Sequence, residues 1–231
     1  MDNKIAVVVC SRSDSEQKKD FLQQIKDTCG CSAHVYFLIN QEGVGLTKIY
    51  KNFIQDKKVD NDIIVFIHDD IEFLKNNWGE EIIRLFQKHR DYGIIGVAGS
   101  AQFDENGAWW QYDKKYGQVL HKTDKGTWLT CFSPLLKNDL EEVCVIDGLF
   151  MAVDRKRISK NFDENITGFD MYDIDFCLNN YLDGKTKIGV TTNIRIAHHS
   201  IGELSKNWYT NREKIIEKYG KYFPIDIKKK E

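Results

Sequence analysis

Proline is scarce: the 231 residues hold two, Pro134 and Pro224, which leaves no room for Pro-rich linkers or tracts. Charge of one sign is lacking too. Lys and Arg number 33 against 35 Asp and Glu, a formal net charge of -2, so there is no overall cationic excess of the kind that displaces counterions from a nucleic acid. No nucleic-acid partner is expected. Long apolar runs are also missing: none approaches the roughly 18 to 20 residues of a membrane-spanning helix. The opening Met1–Lys4 leads into the short apolar run Ile5–Cys10, which does not read as a secretory signal. The expectation is a soluble, cytoplasmic protein with no integral membrane segment. Six cysteines (Cys10, Cys29, Cys31, Cys131, Cys144, Cys177) in so long a chain suit reduced core thiols better than a disulfide framework. Cys29-Gly30-Cys31 lacks the second pair that would complete a zinc site.

What is present is apolar patterning. With 42% apolar residues, a chain of this length can bury roughly 70 to 75% of the surface its unfolded form exposes. Ile5–Cys10 is a continuous β-branched run, the mark of a strand buried on both faces. Ser13 and Glu16 offer a capping box for an amphipathic segment near 16–28. Strands are expected at 33–39, 63–67 and 94–98, with helices at 46–54 and 77–89 between them, an alternation that points to a layered and largely parallel sheet. Residues 100–142 hold Trp109, Trp110, Tyr112, Tyr116 and Trp128 without sustained periodicity, and read as hairpins and loops over a cleft. Strands at 143–146, 149–153, 186–192 and 194–198 follow, with helices at 172–182 and 208–219. Lys228–Lys230 reads as a solvated end, with attraction to a membrane surface as the minor alternative.

Two acidic clusters carry the chemistry. Ile63–Ile67 delivers His68-Asp69-Asp70 and Glu72 to a strand's carboxyl end, where open α/β sheets place ligands. Carboxylates so close repel unless a cation sits among them, and a divalent ion bridging to phosphate oxygens is a common solution; a solvated loop is the alternative. Asp170, Asp173 and Asp175 form the second cluster, at the start of the helix expected at 172–182, where the helix dipole also favours acids. Residues two apart on a helix do not share a face, so one of Asp173 and Asp175 can look into the cleft while the other pairs. A third piece, Ala197-His198-His199-Ser200, supplies imidazoles able to complete a carboxylate-bound metal site.

In this order, the first strand, Tyr50 and Asn52, His68-Asp69-Asp70, Val145-Ile146-Asp147-Gly148, Gly168–Leu178 and Ala197–Ser200 resemble a family 2 glycosyltransferase, nearest the StrF-like branch, over nearly the whole chain. The resemblance implies the GT-A fold, a Rossmann-like α/β/α layering around a mixed, mostly parallel sheet. It divides one domain into a nucleotide-binding half (1–99) and an acceptor and catalytic half (100–231). It also implies an inverting transferase that moves a sugar from a nucleoside-diphosphate donor to a glycan or glycoconjugate acceptor, with Mg or Mn as cofactor. The family's Asp-x-Asp falls on His68 to Asp70, with a histidine in the place of the first acid. Asp70, with His198 or His199, is thereby the expected metal set. Ser11, Arg12, Asn40, Glu42, Asn52, Asp69, Asp147 and Gly148 are the expected donor contacts. The family's acidic pair falls on Tyr172-Asp173, which makes Asp173 the expected base. A non-catalytic nucleotide- or glycan-binding protein and a sugar nucleotidyltransferase are the alternatives. Peripheral membrane association is compatible with all of these.

Overall fold

The computed structural model describes residues 5–227, and the Lys228–Lys230 tail lies outside the described residues. The chain opens with β1 (Ile5–Ser11), α1 (Lys19–Cys29), β2 (Ala33–Ile39), α2 (Leu46–Gln55), β3 (Ile63–Ile67), β4 (Ile71–Phe73) and α3 (Trp78–Lys88). Short strands follow: β5 (Tyr92–Gly96), β6 (Ala98–Ser100), β7 (Gln102–Phe103), β8 (Lys115–Thr123), β9 (Gly126–Cys131), β10 (Glu141–Val143), β11 (Val145–Ile146) and β12 (Phe150–Asp154). The last third holds α4 (Tyr172–Leu182), β13 (Lys187–Val190), β14 (Ile196–His198), α5 (Lys206–Tyr219) and β15 (Ile225–Asp226).

Seven strands form the central sheet in the order β10-β13-β5-β12-β3-β1-β2. β1 pairs in parallel with both β2 and β3, while β12 inserts antiparallel between β3 and β5. Ile5 to Val9 and Ile64 to Ile67 are wholly buried, as continuous apolar runs on interior strands require. From β1 the chain steps to β2 on one side and returns to β3 on the other. The reversal of winding opens a crevice at the carboxyl ends of β1 and β3. A second sheet, β11-β6-β8-β14-β4 with β9 on β8, rises beside that crevice. A short pair, β15 with β7, completes the strand pairings.

Two register facts position the site. β14 runs antiparallel to β4 with His198 opposite Ile71, which lands an imidazole beside Asp70. β12 places Phe150 opposite Ile67, and His68 N–H donates to the Leu149 carbonyl at 3.1 Å, which brings Asp147-Gly148 alongside the end of β3. The ring of Trp78 on α3 stacks on Phe73 of β4 at 4.3 Å and 6° and donates to Thr28 Oγ1 at 3.0 Å. One side chain thus ties α1, β4 and α3 together.

Several expectations change in detail. The first helix begins at Lys19 without a side-chain cap. Ser13 and Glu16 do not form the box; Asp14 and Gln17 do, each accepting the other's backbone N–H, at 2.8 and 3.2 Å, because Ser13 N–H is taken by Ser11 Oγ. The expected strands 94–98 and 143–146 each divide at Val97 and Cys144, where the chain passes from the central sheet to the second. Residues 71–73, expected within the acidic loop, form the short strand β4. Residues 100–142 do form hairpins, β8 and β9 turning at Asp124-Lys125. None of the six cysteines forms a disulfide. Among the described residues no helix is long and apolar enough to cross a membrane.

Candidate active site

β3 ends at Ile67, and the next three residues turn their side chains into the crevice. His68, Asp70 and His198 each bring one ligand atom to within 4.8 Å of the others. Asp70 Oδ1 lies 3.2 Å from His198 Nε2, and Ser200 Oγ is 3.0 Å from the same nitrogen. Burial pushes the Asp70 carboxyl up, but the His198 hydrogen bond and the charges of His198 and His68 outweigh it, and Asp70 is held well below the usual carboxylate range. Burial lowers His198, and the bond to Asp70 more than reverses that. Burial also keeps His68 below its ordinary value against the pull of Asp70 and Asp147, so its ring is neutral and has a lone pair to give. Two imidazoles and a carboxylate converging in this way suit a first-row divalent ion.

His199 does not join them. Consecutive residues of a strand point to opposite faces, and with His198 turned inward His199 meets Glu72 at 3.4 Å with its side chain 45% exposed. His68 takes the place expected for it. The signal was in the sequence, since residues two apart at a strand end share a face, but an acid was the expected type there.

His68 stands between two recesses. The first, about 290 Å³, is lined by Cys10, Ser11, Arg12, Asn40, Tyr50, Asp69 and Asp70 among others. Ser11 Oγ donates to Asp69, and Lys18 reaches the Asp69 carbonyl at 2.8 Å and its carboxylate at 3.4 Å. Arg12 lies over the Phe169 ring at 5.1 Å. Asn40 is buried and folds its own loop, exchanging hydrogen bonds with Val44 at 2.7 and 2.8 Å. Glu42 and Asn52, expected beside the donor, open instead into a separate groove of about 560 Å³ along β2 and α2 that Asn40 also borders. Neither lines the recess that holds Asp70.

The second recess, about 510 Å³, is lined by His68, Trp110, His121, Asp147, Asp173 and Trp208 among others. Asp173 heads α4, its Oδ2 accepting from Gly148 N–H at 2.7 Å and its Oδ1 from Ile174 N–H at 2.8 Å. Burial, with the Asp147 carboxylate nearby, pushes Asp173 up to about 7, where a carboxylate exchanges protons readily at neutral pH. Asp175 turns away and is held by Lys218 and by the Tyr219 hydroxyl, each at 2.8 Å. The residue before α4, Met171, has φ 63, a left-handed conformation that costs of order 1–3 kcal/mol and tends to occur at functional sites.

Asp147 Oδ1 accepts from Leu149 N–H at 3.0 Å and tightens the turn. Gly148, expected to admit the donor, makes room for a side chain of its own chain: a Cβ there would lie 2.2 Å from the Tyr172 hydroxyl. Of the aromatic residues expected over the cleft, Trp110 lines the second recess half-buried and Trp109 lines it almost wholly buried. Tyr112 turns to Asp104 at 2.5 Å, outside the recess.

The architecture has close parallels. GalNAc-T7 with UDP, GalNAc and Mn²⁺ aligns at TM-score 0.55 and 12% identity, over 93% of this chain and 47% of that one. The Drosophila β1,4-galactosyltransferase 7 catalytic domain with xylobiose aligns at 0.53 and 12%, over 91% and 79%. The mannosyltransferase PcManGT of Pyrobaculum calidifontis with GDP-Man and Mn²⁺ aligns at 0.52 and 8%, over 95% and 64%. The chain thus spans about half the length of the first of these, and at such identities the likeness establishes the GT-A fold. No curated protein matches the sequence. A family model described as "Glycosyltransferase like family" matches residues 6–219, from the second residue of β1 to the last of α5, and the chain belongs to that glycosyltransferase-like family.

Proposed function

We propose that the protein transfers a sugar from a nucleoside-diphosphate donor to an acceptor hydroxyl with inversion at the anomeric carbon, assisted by a divalent cation. The convergence of His68, Asp70 and His198 between two recesses carries this reading. A cation there supplies Lewis-acid stabilisation of the departing diphosphate, a contribution of several kcal/mol. Two of the three donor atoms are imidazole nitrogens, which favours Mn²⁺ over Mg²⁺.

In this reading residues 1–99 bind the nucleotide in the recess of Ser11, Arg12, Asn40 and Asp69. The acceptor enters the second recess, where Asp173 takes the proton of the attacking hydroxyl as its oxygen bonds to the anomeric carbon and the bond from that carbon to the diphosphate breaks. Among the described residues that recess is lined by the carboxylates of Asp147, Asp170, Asp173 and Glu203 and by no Lys or Arg. Like-charge juxtaposition penalises an anionic ligand, so the acceptor is an uncharged or amino-bearing saccharide whose apolar face packs on Trp110. Reduced cysteines support a cytoplasmic setting, and the motif order supports a StrF-like branch.

The test is a thermal-shift panel of UDP, GDP, CDP and dTDP with and without Mn²⁺. One nucleotide is expected to stabilise the protein with the metal and little without it, an effect absent in Asp70→Asn. Indifference to all four nucleotides in the presence of Mn²⁺ would overturn the reading.

A further inference from the structure

His68 and Tyr172 stand where the resemblance to family 2 glycosyltransferases places the first acid of each of two motifs. In the fold these two residues touch. His68 Nε2 and the Tyr172 hydroxyl lie 2.9 Å apart, although 104 positions separate them along the chain. The Tyr172 hydroxyl also donates to the Gly148 carbonyl at 3.1 Å, and the absence of a side chain at residue 148 is what admits it.

Given the Tyr172 hydroxyl's donation to the Gly148 carbonyl, a count of hydrogens sets the direction of this relay. A tyrosine hydroxyl has one proton, and a carbonyl oxygen can only accept. With that proton on Gly148 O, the hydroxyl can meet His68 only as an acceptor, so Nε2 carries the hydrogen of the neutral ring. Nδ1 is then the nitrogen with the lone pair. Outer partners of metal-ligating histidines commonly select the tautomer and orient the ring in this way, and losing one typically costs 10- to 100-fold in metal affinity.

We infer that Tyr172 is a positioning residue that locks His68 in its Nε2–H tautomer and presents Nδ1 to a divalent cation shared with Asp70 and His198. The two residues act as one unit: a histidine ligand, and a phenol beside it that sets its proton. The inference rests on the cluster's role as a cation site.

Two measurements on the full chain test it separately. Long-range ¹H–¹⁵N correlation of the histidine rings, without metal, should show His68 as the Nε2–H tautomer, and Tyr172→Phe should mix the tautomers while keeping the ring's packing. Co²⁺ titration, followed by its visible absorption, should show binding 10- to 100-fold weaker in Tyr172→Phe. In a His68→Asp background, where there is no tautomer to set, adding Tyr172→Phe should change Co²⁺ affinity less than twofold. An Nδ1–H tautomer in the parent chain, unchanged affinity in Tyr172→Phe, or an equal loss in both backgrounds overturns the assignment. If the parent chain shows the Nε2–H tautomer yet no saturable Co²⁺ binding, the cation site itself fails, and the ligand half of the inference with it.

Discussion

Asp173 is where proton chemistry and stability meet. As the proposed base it must be ionised, so transfer should rise with pH through about 7. Asp173→Asn should lose about 10² to 10⁴ in turnover with donor binding retained; full turnover would remove Asp173 from the mechanism. The same raised pKa has an opposite effect on folding. The folded state holds this proton more tightly than the unfolded chain, where an Asp titrates near 4. The contribution is therefore greatest below about pH 4, is lost as pH rises to about 7, and stays constant above that. Denaturant melts from pH 4 to 8 should show this decline in the parent chain and a flatter slope in Asp173→Asn. The sequence had singled out Asp173, Asp70 and His198, and it left His199 open because two adjacent histidines look alike until a strand register chooses one. Only the pairing of β14 with β4 makes that choice. Glu42 and Asn52 line a different cavity from Asp70, because closeness along the chain to Asn40 and Tyr50 does not say into which recess a side chain opens.

At the scale of elements, two glycines show how closely the parts approach. Gly30 ends α1 at φ 79, and a Cβ there would lie 2.7 Å from the Asn77 backbone. Gly30→Ala therefore meets both a left-handed conformation and an immovable neighbour, and should cost about 2 kcal/mol or more by denaturant unfolding. Trp78→Ala removes the side chain that joins α1, β4 and α3, and should cost about 3 to 5 kcal/mol. The alternation of strands and helices in the first hundred residues was readable because each buried run is apolar and each connection is polar. The divisions at Val97 and Cys144 were not. The chain changes sheets there while remaining buried on both sides of the break, so no polar residue or Pro marks the place, and Gly96 beside Val97 stands within an otherwise continuous apolar run. The Asp14/Gln17 pair lies one residue from the expected one, in the turn ahead of α1, since a competing partner, here Ser11, takes the Ser13 N–H.

Over the whole molecule the proposed ligands act together. A nucleotide and cation sharing one site should stabilise the protein more as a pair than the sum of each alone. At 100 times the dissociation constant the gain is about 2.7 kcal/mol, which for a chain of this size raises the melting temperature by roughly 5 to 10 °C. Simple additivity in a thermal-shift matrix would mean separate sites. Near-neutral net charge agrees with this picture: an anionic donor held by a metal needs no basic surface to draw it in.

The His68, Asp70 and His198 cluster also sets a timetable. Two of its members are made almost together, and the third follows only after more than a hundred further residues, on a strand that must find β4 across that interval. A nascent chain on the ribosome therefore has no such cluster until the register of β14 is fixed. The central sheet has to organise itself around its apolar strands without help from an ion, and loading belongs to the finished fold.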